Sequence, residues 1–145
     1  MEWLRKLKGK GGMIKQIDHA AIVVSDMDRA FEFYSGVLGL DVILDGRESG
    51  EQKKSFLGNK KQVLIALTED KNRAAGDTAD VEGVNHIAFL VGDLEKSSRL
   101  LKEKGIRFIE EKRDESGKIT AYHFLDPDGL ELEICTASEN EVPQY

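Results

Sequence analysis

The chain is predicted to fold as an α+β domain made of two strand–helix–three-strand (βαβββ) modules, and three observations carry that prediction. First, His19-Ala-Ala-Ile-Val-Val-Ser-Asp26 returns as His86-Ile-Ala-Phe-Leu-Val-Gly-Asp93, an offset of 67 residues (19 to 86). Second, the same offset goes on pairing like with like: Met27 with Leu94, Asp28 with Glu95, Arg29 with Lys96. Both copies then read apolar run, acidic turn and amphipathic stripe in one order. Third, 145 residues with 40% hydrophobic, 33% charged and 2 Pro match a single globular domain of ordinary size.

The first strand is predicted over Ile17 to Val24 and its counterpart over Val84 to Val91. Ser25-Asp26 and Gly92-Asp93 close them, each with a carboxylate able to cap the next helix. In the first helix Met27, Ala30, Phe31, Tyr34, Val37 and Leu38 keep the three–four spacing of a buried stripe, and Gly39 stops it. Leu94, Ser98 and Leu101 repeat the stripe up to Gly105. Strands follow over Asp41 to Leu44, Lys54 to Leu57 and Val63 to Leu67, then over Ile106 to Glu111, Ile119 to Leu125 and Leu130 to Cys135. Asp126-Pro127-Asp128-Gly129 forms the last hairpin turn.

Module one is thus expected over residues 13–70, a polar linker over 71–83 and module two over 84–137. Residues 1–12 read as a basic extension, with Arg5, Lys6, Lys8 and Lys10 against Glu2, and residues 138–145 as a polar tail. The extension is expected to be flexible, since so short a peptide cannot hold a helix alone. Trp3, Leu4 and Leu7 fall at helical spacing, so a docking amphipathic turn is the alternative.

A formal net charge of -6 argues against nucleic acid as the main partner. No apolar run is long enough to span a bilayer. The single cysteine, Cys135, excludes an intrachain disulfide, and no signal-peptide pattern opens the chain, so a cytoplasmic location is expected.

Alternation across a strand places His19 on one face with Ala21 and Val23, and His86 on the matching face of the second module. In the last strand Leu130, Leu132 and Ile134 take the core face, leaving Glu131, Glu133 and Cys135 opposite. The offset maps Glu133 onto Ala66, whose face carries Gln62, Leu64 and Thr68. Two imidazoles and a carboxylate from separate strands suit a divalent first-row metal with open coordination positions. The alternative is that both histidines recur through duplication as buried, hydrogen-bonded residues, with Glu133 solvated.

Three motifs carry a family resemblance: Asp18-His19-Ala-Ala-Ile-Val-Val-Ser-Asp with Phe33-Tyr-Ser-Gly-Val-Leu-Gly-Leu40, then Val84-Asn-His86-Ile-Ala-Phe-Leu-Val, then Phe124-Leu-Asp-Pro-Asp-Gly-Leu-Glu-Leu-Glu133. Together they resemble the vicinal oxygen chelate superfamily, which includes glyoxalase I, methylmalonyl-CoA epimerase, extradiol dioxygenases, fosfomycin-resistance enzymes and bleomycin-resistance proteins. The resemblance implies strands curled around a metal cleft, with His19, His86 and Glu133 holding one divalent ion (Fe2+, Mn2+, Zn2+ or Ni2+) that chelates vicinal oxygens of a small substrate. Glyoxalase I and the epimerase supply a further Glu or Gln where Ala66 stands here, which counts against both activities.

A set of two histidines and one carboxylate is shared by extradiol dioxygenases and fosfomycin-resistance enzymes. On ligand count, oxygenase (oxidoreductase) chemistry is placed ahead of lyase or isomerase chemistry. The fosfomycin pattern departs at Ala21, where a Thr is expected, and lacks its late Arg. The dioxygenase pattern departs at His123, which replaces a Tyr, with Tyr122 beside it. Both are candidate catalytic residues, His123 as a pocket acid or base; the alternative for His123 is a solvent-facing place on an edge strand. Gln62, Ala66 and Cys135 are candidate pocket residues, Cys135 without a partner base to make it a nucleophile. Open strand edges and the habit of related chains predict a homodimer. A metal-free drug- or metabolite-binding protein is the rival reading, opposed by retention of all three ligands.

Overall fold

The computed structural model describes residues 17–50, 53–72 and 86–136. Both modules appear in the predicted order. The first runs β1 (Ala20–Val24), α1 (Met27–Phe31) prolonged by a π-helical stretch (Glu32–Val37), β2 (Asp41–Leu44), β3 (Lys54–Asn59) and β4 (Gln62–Glu69). The second runs β5 (His86–Leu90), α2 (Leu94–Glu103), β6 (Glu110–Arg113), β7 (Ile119–Leu125) and β8 (Glu131–Cys135). Most of the extension, linker and tail proposed from sequence lies outside the described residues.

Each module builds one four-stranded mixed sheet, in the orders β1-β4-β3-β2 and β5-β8-β7-β6. β1 runs parallel to β4 and β5 to β8, and the remaining pairs are antiparallel. The ladders repeat at the offset read from the first strands alone. Ala21 faces Ala66, which faces Phe56; 67 residues on, Ala88 faces Glu133, which faces His123.

Asp26 and Asp93 cap their helices as expected, accepting from the backbone N–H of Arg29 at 3.1 Å and of Lys96 at 2.9 Å. The first helix departs from a plain α-helix. Leu38 N–H donates to the Phe33 carbonyl, five residues back, before Gly39 ends the run at φ +79°. The apolar stripe still serves, since Met27, Ala30, Phe31 and Tyr34 are all buried.

One strand is shifted from its predicted place. The alternation of Ile106 and Phe108 suggests a strand over Ile106 to Glu111, yet pairing with β7 starts at Glu110 and runs to Arg113. Ile106 N–H is taken by the Leu101 carbonyl at the helix exit, and the apolar side chains of Ile106 and Phe108 pack against the core without a ladder. The strand itself reads Glu-Glu-Lys-Arg, exposed throughout, and so carries no apolar signal.

The core is shared by both halves: Ile22, Val24, Leu57, Ile65 and Leu67 from the first sheet meet Phe124, Leu132 and Ile134 from the second beneath the helices. A second set of contacts fastens the β7–β8 turn to module one. Asp128 accepts from Ser25 N–H at 3.0 Å and from its hydroxyl, and Asp126 accepts from the fully buried Tyr34 hydroxyl at 2.8 Å. Arg29 donates to the Pro127 carbonyl, and Lys104 reaches back to the Gly36 and Val37 carbonyls at the end of the π-helical stretch. Asp126 also accepts from the N–H groups of Asp128 and Leu130, which shapes the turn. With the core and the helices on one side, His19, His86, Glu131 and Glu133 lie on the opposite face, His19 half-exposed and the other three more covered.

Candidate functional site

β1 and β5 are edge strands of their sheets, and a cleft of about 780 Å3 lies along them. His19, Ala21, Gln62, Leu64, His86 and Ala88 are among the side chains that line it. His19, His86 and Gln62 therefore face one cavity, whereas, among the described residues, Glu133, His123, Tyr122, Ala66 and Cys135 do not line it.

His19 is half exposed, and its Nδ1 lies 2.8 Å from a carboxylate oxygen of Asp18. A carboxylate only accepts, so Nδ1 is the donor and, in the neutral ring, Nε2 carries the lone pair. His86 sits opposite Glu131 in the β5–β8 ladder, two residues from the Ala88–Glu133 pair. Its Nε2 lies 3.0 Å from Glu133 Oε2. Leu132 and Ile134 point into the core, and that alternation turns Glu131 and Glu133 together onto the opposite face.

His123 is the residue whose surroundings depart most from expectation. Far from facing solvent on an edge strand, it sits on the interior strand β7 at 2% exposure. Glu131 Oε1 lies 3.7 Å from its Nδ1 and Glu133 Oε1 3.7 Å from its Nε2, too far for hydrogen bonds, so both ring nitrogens are buried without a partner. A buried donor left unpaired costs about 1–3 kcal/mol. The rings of His86 and His123 stand 5.2 Å apart.

Tyr122 does not share this face. Period-two alternation turns it to the helix side, where it stacks on Phe108 at 4.6 Å beneath the Lys102 ammonium, away from His123, beside which the sequence reading set it as a candidate catalytic residue. Cys135 Sγ donates weakly to the Phe89 carbonyl at 3.7 Å. Burial, with the charge of Glu133 adding to it, pushes its thiol pKa up, which disfavours the nucleophilic thiolate.

Among the described residues, the three potential ligands whose donor atoms all lie within 4.8 Å of one another are Glu110, His123 and Glu131. The structure thus brings Glu133 to His86 and leaves His19 on the cleft wall, outside any group that tight. Glu110 and Glu131 did not stand out in the sequence as ligands. Alternation with Leu132 was enough to put Glu131 beside Glu133, whereas Glu110 lies in the strand that lacks an apolar pattern.

The model of the Glyoxalase/Bleomycin resistance protein/Dioxygenase superfamily matches residues 16–134. The metallothiol transferase FosB of Staphylococcus epidermidis is 33% identical over 136 residues, covering 92% of this chain and 91% of that protein. A probable lactoylglutathione lyase of Synechocystis sp. is 29% identical over 126 residues, covering 85% of this chain and 96% of that protein. Among solved structures, the glyoxalase family protein of Enterococcus faecalis superposes with a TM-score of 0.70 at 29% identity, covering 86% of this chain and 99% of that one.

Proposed function

This chain belongs to the glyoxalase/bleomycin resistance protein/dioxygenase superfamily, and from that premise we propose that it is a divalent-metal-dependent enzyme acting on a small molecule that chelates the ion through two neighbouring oxygens. The observation that carries the reading is the approach of His86 Nε2 to Glu133 Oε2 at 3.0 Å beside a cleft that His19 also lines. His19, His86 and Glu133 would hold the ion, and imidazole with carboxylate is a fitting donor set for Fe2+, Mn2+, Zn2+ or Ni2+. Bound there, the ion supplies Lewis acidity to the substrate oxygens.

The protein's own groups prepare that site. Asp18 fixes the His19 tautomer that leaves Nε2 free to ligate. Ala66 offers a methyl at the position equivalent to Glu133, so no fourth protein ligand closes the site. Ala21, Leu64 and Ala88 give the cleft small and apolar walls that exclude water from a bound substrate.

Lewis-acid chemistry of the transferase or lyase kind is placed first, because the transferase and lyase named above are similar over most of their length. Oxygenase chemistry, read from ligand count in the sequence, is placed second. Protein purified without chelator is expected to carry at least one divalent ion per chain by elemental analysis; metal-free protein that still binds small ligands would overturn the enzyme reading in favour of a binding protein. Turnover that survives under argon places the chemistry in the transferase or lyase class, and turnover that stops there places it with the oxygenases.

The same reading includes a homodimer. The edge strand β2 exposes Val42, Ile43 and Leu44 in succession, an apolar edge suited to pairing with a second copy. Sedimentation at micromolar concentration is expected to give twice the chain mass, and a monomer alone would refute the pairing.

A further inference from the structure

We infer that the face of the second sheet opposite the helices holds a second divalent cation, ligated by Glu110, His123 and Glu131, next to the ion proposed at His19, His86 and Glu133; its role as a neighbour of that ion rests on the reading above.

Three observations point to it independently of that reading. The donor atoms of Glu110, His123 and Glu131 lie within 4.8 Å of one another, near enough for small rotamer changes to place each about 2.0–2.2 Å from one ion. His123 is 2% exposed with both ring nitrogens unpartnered, and Glu110, Glu131 and Glu133 surround it. Among the described residues, none of those three glutamates forms an ion pair with a lysine or arginine. Negative charge gathered around an imidazole with an unused lone pair is an environment that a cation completes.

Module one shows that the fold itself has no need of these groups. At the places equivalent to Glu131, Glu133 and His123 it carries Leu64, Ala66 and Phe56, and Leu44 faces Phe56 as Glu110 faces His123. Four apolar side chains do there what four polar ones do in module two.

The two carboxylates of β8 also span both histidines. Glu133 directs Oε2 to His86 Nε2 at 3.0 Å and Oε1 to His123 Nε2 at 3.7 Å. Glu131 directs Oε2 to His86 Nδ1 at 3.9 Å and Oε1 to His123 Nδ1 at 3.7 Å. A carboxylate with one oxygen toward each of two imidazoles is placed to bridge two ions, which in two-metal sites stand about 3.5–4 Å apart. One nitrogen and several carboxylate oxygens suit Mn2+, Fe2+ or Zn2+.

Equilibrium dialysis of the full chain against Mn2+, with electron paramagnetic resonance of the loaded protein, tests the inference. Wild type is expected to bind two ions per chain with the spectrum of a coupled pair. His123→Phe and Glu110→Gln are each expected to bind one, with an isolated-ion spectrum. His123→Phe installs the residue that module one carries at Phe56, and Glu110 is exposed, so both variants are expected to fold, which circular dichroism checks. One ion in wild type, lost in His19→Ala and untouched in His123→Phe, would overturn the second site and leave the proposed function standing. One ion lost in His123→Phe and untouched in His19→Ala would keep the Glu110–His123–Glu131 site and overturn the proposed ligand set. One ion lost in both variants, or no ion bound at all, would overturn the inference of a second cation.

Discussion

Glutamine in place of Glu133 is expected to weaken Mn2+ or Zn2+ binding by about 100-fold or more while leaving the melting temperature of the metal-free protein nearly unchanged. Removal of an outer-shell partner already costs about 10–100-fold in affinity, and Glu133 is proposed as a ligand itself. The amide keeps the shape of the side chain between His86 and His123 and removes its charge. Because carboxylate and imidazole ligands must shed their protons to bind, wild-type affinity is expected to fall as the solution is acidified. Calorimetric titration at two pH values checks both statements, and equal affinity in wild type and Glu133→Gln would remove Glu133 from the ligand set.

The second large effect falls on stability. Asp126 accepts from the Tyr34 hydroxyl and from the N–H groups of Asp128 and Leu130, so Asp126→Ala removes three hydrogen bonds at once and is expected to cost about 3–5 kcal/mol. Against a total of about 5–15 kcal/mol, that loss leaves the domain close to unfolding. Asp126→Asn keeps an acceptor for the two backbone donors and is expected to be far milder. It also isolates a pH effect. Burial, offset in part by those hydrogen bonds, raises the Asp126 pKa above the usual carboxylate value, so the native state holds this proton to higher pH than the unfolded chain does. The stability Asp126 contributes by this route is present in full below the unfolded value and is lost as pH rises through the raised one. Denaturant titrations across the weakly acidic range are expected to show this loss in wild type and not in Asp126→Asn; identical pH profiles would refute it.

The 67-residue offset made much of this architecture legible, because period-two alternation and a duplicated order leave few ways to arrange the strands. The repeat makes the second ladder a copy of the first, with Ala88 opposite Glu133 where Ala21 stands opposite Ala66, but the parallel pairing that sets this register, and with it the approach of His86 to Glu133, is seen only in the structure. What stayed hidden depends on contacts between distant segments. The burial of His123 requires knowing that β7 is an interior strand and that Glu131 and Glu133 cover it on the next one. Glu110 is hidden by β6, whose four polar residues resemble a loop until β7 pairs with them. Tyr122 differs for the opposite reason: its neighbour His123 faces Glu131 and Glu133, and adjacency in sequence places two strand residues on opposite faces.

The anchored turn before β8 works as the fulcrum of a lever. From Leu130, tied to Asp126 at the end of the turn that Ser25 of the other module grips, to Glu133 the chain runs about 10 Å at roughly 3.3 Å per residue, so a tilt of about 6° at the turn swings the carboxylate by about 1 Å. Displacements of that size cost about 100-fold in rate where reacting groups must be aligned. Ser25, Arg29 and Tyr34 lie on module one, yet they set the aim of side chains on module two. For the proposed enzyme, selection for chemistry would therefore reach residues remote from the cleft, and exchanging module one for that of a relative would detune the site even with every residue of module two kept intact.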